Sequence, residues 1–148
     1  MRLSEDQRKA GKTILNWYFS KNRTPYITLG GYAGTGKTAL IPKIKERILE
    51  VSDEKLEIAF CSYTGRAAQN LKNQLQKANA ISYRDKVSTI HGLIYDPIEN
   101  GKGIIIGWKK KAEVEADLIF IDEASMVDGK IWRDLLSYDI PIIAVGDH

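Results

Sequence analysis

Gly31 and Gly36 bracket four residues and are followed at once by Lys37 and Thr38, the spacing G-x-x-x-x-G-K-[ST]. Glycines let a backbone curl until successive N–H groups converge on an anion. A helix opening near Thr38 adds the positive end of its dipole at the same point. Lys37 has the charge and reach for β- and γ-phosphates, and the Thr38 hydroxyl suits a Mg²⁺ ion. Gly31, Ala33, Gly34, Thr35, Gly36, Lys37 and Thr38 are therefore a candidate phosphate loop for a nucleotide such as ATP. A chance glycine-rich turn is the competing reading. The strand pattern before the loop and the helix pattern after it oppose that reading.

Asp122 and Glu123 end the apolar run 118–121. A strand that delivers two adjacent carboxylates at its C-terminal end is the Walker B arrangement. Asp122 then holds Mg²⁺, directly or through water. Glu123 orients the attacking water and accepts its proton. A helix-capping pair ahead of Ala124 is the alternative.

These residues need elements to hold them. The spacing of Ala10, Ile14, Trp17 and Tyr18 predicts a helix over 3–20, with Ser4 as its cap. A short strand is expected over 26–29, directly before the loop. A helix over 39–51 follows it, with Pro42 early enough to be tolerated. A strand over 58–63 and a helix over 65–77 come next, with Ala68, Leu71 and Leu75 on one helix face. Segment 87–95 fits helix or strand. Asn100-Gly101 within 95–108 is a hairpin-turn signal, and Pro97 marks an edge or irregular strand. The run 118–121 reads as a strand buried on both faces. A helix over 127–137 and a strand over 140–145 complete the alternation, which predicts an α/β doubly wound, mostly parallel sheet. Lys109-Lys110-Lys111 reads as a solvated loop.

Composition agrees. The chain has 148 residues, 43% hydrophobic and 28% charged, with net charge +3. That suffices for one packed domain. No stretch approaches the ~18 consecutive apolar residues of a membrane helix. The charged start MRLSEDQRKAGK leads into no apolar signal core, which argues against export. The single Cys61 excludes an internal disulfide and a cysteine zinc module. A reduced, cytoplasmic setting is the expectation.

Five short motifs occur in order: the loop 31–38, Tyr63-Thr64-Gly65-Arg66-Ala67-Ala68, Ser88-Thr89-Ile90-His91-Gly92-Leu93, Asp122-Glu123-Ala124-Ser125-Met126 and Val145-Gly146-Asp147. Together they resemble superfamily 1 DNA helicases of the RecD/Dda type over essentially the whole chain. The resemblance implies a RecA-like P-loop NTPase domain with a small β-hairpin insertion. It also implies ATP and Mg²⁺ as cofactors and 5′ to 3′ movement on single-stranded DNA.

Roles follow by position. Gln7 looks like the glutamine that reads adenine, although Ser4-x-x-Gln7 is also a capping box. Asp147 looks like part of the motif that senses the γ-phosphate. Tyr63, Thr64, Gly65 and Arg66 resemble a DNA-backbone motif, and Thr64 equally suits a helix cap. The family usually has Pro where Tyr63 stands, so the turn is expected to be less rigid and Tyr63 to offer a stacking face. Thr89 and His91 resemble a second DNA-contacting motif; a lone His is otherwise a structural residue. Segment 95–108 falls where the family carries a strand-separating pin. There Trp108 either stacks on a base or covers the sheet edge.

The family motor has two such domains with ATP between them. The second supplies arginine fingers, and no residue of this chain matches them. The expectation is a first motor domain, or a fragment of a longer protein, that binds nucleotide and hydrolyses it slowly alone. A nucleic-acid-binding module with a vestigial ATP site and a P-loop kinase are the other readings. No arginine-rich lid supports the kinase.

Overall fold

Continuous apolar runs of four or five residues leave no polar face, so the strands that carry them must be covered on both sides. The computed structural model, which describes residues 5–29, 40–52 and 56–146, arranges them in this way. Five parallel strands form one sheet in the order β1 (Tyr26–Leu29), β7 (Ile142–Val145), β6 (Leu118–Asp122), β2 (Ile58–Ser62) and β3 (Lys86–Thr89). Every residue of β2 and β7 is buried.

The helices cover both faces. On one face α1 (Glu5–Tyr18), α2 (Leu40–Val51) and α3 (Gly65–Lys77) place Ile14, Ile41, Ile44, Ile48, Leu71 and Leu75 against Phe60, Phe120 and Ile143. Phe60 and Phe120 lie directly across from each other and stack at 5.2 Å. On the other face α4 (Ile90–Ile94) and α5 (Gly129–Leu136) cover Ala59, Cys61, Ile119, Ile121 and Ile142. The period-2 alternation of the strands therefore divides the core into two layers.

Most expected elements are present, with ends moved by a few residues. Pro42 is the third residue of α2, where its missing N–H removes no helical bond. The ambiguous segment 87–95 splits into strand and helix: β3 ends at Thr89, whose hydroxyl caps α4. The expected helix over 127–137 is shorter. A 3-10 turn (Ala124–Met126) precedes it, and Asp128 caps α5 by accepting from the Ile131 N–H at 2.9 Å.

The hairpin pairs β4 (Tyr95–Glu99) with β5 (Ile105–Lys110), antiparallel, with Pro97 opposite Trp108. Its turn differs from the two-residue form that Asn100-Gly101 suggests. The Asn100 side chain accepts from the N–H groups of Lys102 and Ile104. The Asn100 N–H donates to the Ile104 carbonyl at 2.9 Å. The left-handed residue is then Gly103, with φ +76°, and not Gly101. An asparagine that closes a longer loop with its own carbonyl outcompetes the tight turn.

The lysine run is likewise no solvated loop. Lys109 and Lys110 belong to β5. Lys110 Nζ donates to Ser137 Oγ and lies 4.9 Å from the Tyr138 ring centroid. Lys111 Nζ donates to the Gly92 carbonyl at 3.0 Å. Among the described residues, no helix is long and apolar enough to cross a membrane.

Candidate functional site

The five strands finish together. Leu29 is in register with Val145, Val145 with Asp122, Asp122 with Ser62, and Ser62 with Thr89. At about 4.8 Å per strand this row spans roughly 19 Å. The segments that leave it are those singled out by their residue types: 30–39 after β1, 63–66 after β2, 90–91 after β3, Glu123 after β6 and Gly146 after β7. Ligands of open parallel sheets bind outside the carboxyl ends of the strands. The phosphate-loop residues Gly31, Ala33, Gly34, Thr35, Gly36, Lys37 and Thr38, the cap Ser4 and Asp147 lie outside the described residues.

Asp122 is half-buried, and its Oδ1 accepts the Glu123 N–H at 3.1 Å. Glu123 is exposed and left-handed, with φ 57° and ψ 44°. This conformation is costly for a side chain that cannot bond its own backbone locally. It turns the chain sharply off the end of β6, so the two neighbouring carboxylates take different settings, one half-buried and one exposed. Gly146 closes against the same turn. A Cβ there would meet the Ala124 nitrogen at 2.9 Å, which only the hydrogen of glycine avoids. The end of β7 thus presses on the turn that carries Glu123.

Beside Asp122 stands a residue that no motif singles out. Ser62 is fully buried, and its Oγ has no hydrogen-bond partner among the described residues. Its signal is tertiary: only strand register and burial reveal it. The Asp122 carboxylate and this hydroxyl offer oxygen donors, the chemistry that a hard cation such as Mg²⁺ prefers.

Gln7 lies in the first turns of α1 and is half-buried. Thr64 is the N-cap of α3, accepting from the Ala67 N–H at 3.1 Å. Its hydroxyl hydrogen stays available to a phosphate oxygen, so cap and anion contact are compatible. Gly65 and Arg66 are exposed beside it. Tyr63 packs half-buried against the α4–α5 core. Thr89 repeats the Thr64 arrangement, accepting from the Gly92 N–H at 3.0 Å.

His91 is half-buried between aromatic rings, 5.0 Å from Tyr95 and 5.9 Å from Trp108. It therefore joins α4 to the hairpin. Trp108 is 52% exposed, as are Ile104, Ile105 and Ile106 by similar fractions. The hairpin is anchored at its base. The Tyr95 hydroxyl donates to Asp134 on α5, and burial followed by that carboxylate raises the Tyr95 pKa. The Tyr138 hydroxyl lies 2.6 Å from the Lys111 carbonyl, and burial also raises its pKa.

Comparisons with known proteins agree with this layout. A family model described as an AAA domain matches residues 18–148. RecBCD enzyme subunit RecD of Buchnera aphidicola is 31% identical over 135 residues, which cover 82% of this chain and 22% of that protein. ATP-dependent DNA helicase dda of Enterobacteria phage T4 is 27% identical over 151 residues, covering 99% of this chain and 32% of that protein. The chain thus spans less than a third of the length of either relative. Among solved structures, the HK97 bacteriophage large terminase superposes with a TM-score of 0.61 at 19% identity, over 99% of this chain and 33% of that one. That likeness concerns the fold, a RecA-like α/β sheet of the P-loop NTPase kind. The chain belongs to the AAA domain family, as a helicase-like domain of the superfamily 1 RecD/Dda type.

Proposed function

We propose that the chain is the ATP-binding motor domain of a DNA helicase that moves on single-stranded DNA. The observation that carries this reading is the row of strand ends, which gathers a carboxylate pair and two Thr-capped helix starts on one edge of the sheet.

In this reading residues 31–38 hold the nucleotide phosphates, with Lys37 on the β- and γ-phosphates. Gln7 reads the adenine and Asp147 senses the γ-phosphate. Thr38 and Asp122 hold Mg²⁺, which when bound neutralises charge on the β- and γ-phosphate oxygens. Glu123 orients the attacking water and takes its proton. Its exposed position past the strand end keeps it clear of the metal carboxylate.

Tyr63, Thr64, Gly65, Arg66, Thr89 and His91 line the path of the strand. Thr64 and Thr89 donate hydroxyl hydrogens to phosphates while still capping their helices. Tyr63 contributes by packing, since its ring is half-buried. The hairpin stands beside this path as the strand-separating pin, with Trp108 next to His91. A second domain supplies the arginine finger and the other half of the track. The far greater length of RecD and Dda supports that part of the reading.

The test is ATP binding and hydrolysis by the 148-residue chain, with and without single-stranded DNA. Mg-ATP binding with turnover slower by about 10³-fold or more than that of a complete motor is expected. Lys37→Ala should lose the binding; unchanged nucleotide affinity in that variant would overturn the phosphate-loop assignment.

A further inference from the structure

Ser62 is the last residue of β2 and is fully buried, yet its hydroxyl bonds to none of the described residues. Buried hydroxyls are nearly always paired, so an orphan in a folded core marks a missing partner or a function. Its surroundings are specific. In the parallel pairing of β2 with β6, Phe60 faces Phe120 and, two residues on, Ser62 faces Asp122. The two phenylalanine rings stack at 5.2 Å, which shows that paired side chains here stand on the same face. Side chains repeat every second residue along a strand. Ser62 and Asp122 therefore share that face, toward the core that contains Leu40 and Ile41 of α2, the helix that follows the phosphate loop. The strands are only about 4.8 Å apart.

We propose that Ser62 is a positioning residue of the metal site, its hydroxyl bonding either the Asp122 carboxylate or a water held by that carboxylate when Mg²⁺-nucleotide is bound. The proposal rests on the nucleotide reading above. It explains why a hydroxyl occupies a core position that alanine would fill without an unpaired polar group. Ser62 is also the residue next to Tyr63 and Thr64, so its bond ties the end of β2, where the nucleic-acid turn begins, to the state of the metal carboxylate. Partners of metal ligands typically contribute 10–100-fold to metal affinity.

Nucleotide affinity is measured for the 148-residue chain over a Mg²⁺ series and in EDTA, together with the melting temperature without nucleotide. Ser62→Ala should raise the Mg²⁺ midpoint by about tenfold. It should leave the EDTA affinity unchanged and should not lower the nucleotide-free melting temperature. In an Asp122→Asn background the same substitution should have no further effect on Mg²⁺ dependence.

Equal Mg²⁺ midpoints for Ser62→Ala and wild type would overturn the Ser62 assignment while leaving the nucleotide reading intact. A fall in both EDTA affinity and melting temperature would make Ser62 a packing residue and overturn it too. Wild-type binding without any Mg²⁺ dependence would overturn both readings together.

Discussion

Glu123 shows local preference giving way to position. Three described non-glycine residues have positive φ: Asn79, Glu123 and Asp139. Asn and Asp tolerate this region because their short side chains bond the backbone nearby, and Glu does not. Glu123 also makes no side-chain capping bond. Strain without a local return is expected where a side chain serves chemistry. Glu123→Gly should therefore raise stability by up to about 1 kcal/mol, or roughly 3 °C in melting temperature. In the proposed two-domain motor it should cut turnover by about 10²–10⁴-fold. Thermal melting and an ATPase assay check the two effects, and a variant that melts lower would refute the strain.

At the scale of elements, α2 follows the candidate phosphate loop in sequence, and a buried ion pair secures it. Lys45 Nζ reaches across to Asp85 and to the Ala80 carbonyl between α3 and β3, and the two charged side chains are 5% and 1% exposed. Asp85 is further held by the Ser82 N–H at 2.8 Å and the Ser82 hydroxyl at 3.1 Å. Removing one member of such a pair strands the other charge in the core. Asp85→Ala should thus cost about 3–5 kcal/mol, read as a lower urea midpoint; a cost under about 1 kcal/mol would mean that the pair is solvated. Sequence periodicity located α2 and its apolar stripe but said nothing of this pair, because 40 positions separate the partners. The hairpin teaches the same lesson. Its existence was legible from Asn100-Gly101 and the isoleucines. Its turn was decided by the Asn100 side chain, and the fate of Lys110 and Lys111 by α5 and α4 packing alongside.

For the whole molecule, two core layers share one central sheet, and Cys61 sits fully buried on one side of it. Burial pushes its thiol up from about 9 to about 12. Below pH 9 the thiol is protonated both folded and unfolded. Above it only the unfolded chain ionises, so the unfolded state binds fewer protons and stability falls as pH rises toward 12. Tyr95, raised by burial and by Asp134, adds to this loss above pH 10. Urea midpoints across pH 8–11 should fall, and Cys61→Ala should flatten the slope by up to about 1.4 kcal/mol per pH unit; an unchanged slope would refute the buried thiol as its source. The sequence by itself determined the alternation of strands and helices, the phosphate-loop spacing, the carboxylate pair and the order of the motifs, since each is a local pattern of residue type. It also marked Thr64 as a capping residue, because a cap is read within four positions, whereas the Thr89 cap emerged only with the boundary between β3 and α4. Tertiary structure alone decided that Leu29, Val145, Asp122, Ser62 and Thr89 share one row. It alone placed His91 between Tyr95 and Trp108, half-buried Tyr63 and left the Ser62 hydroxyl beside Asp122 without a partner among the described residues. These depend on strand order and register, which arise from the joint burial of residues far apart in the chain and leave no trace in any short window of sequence.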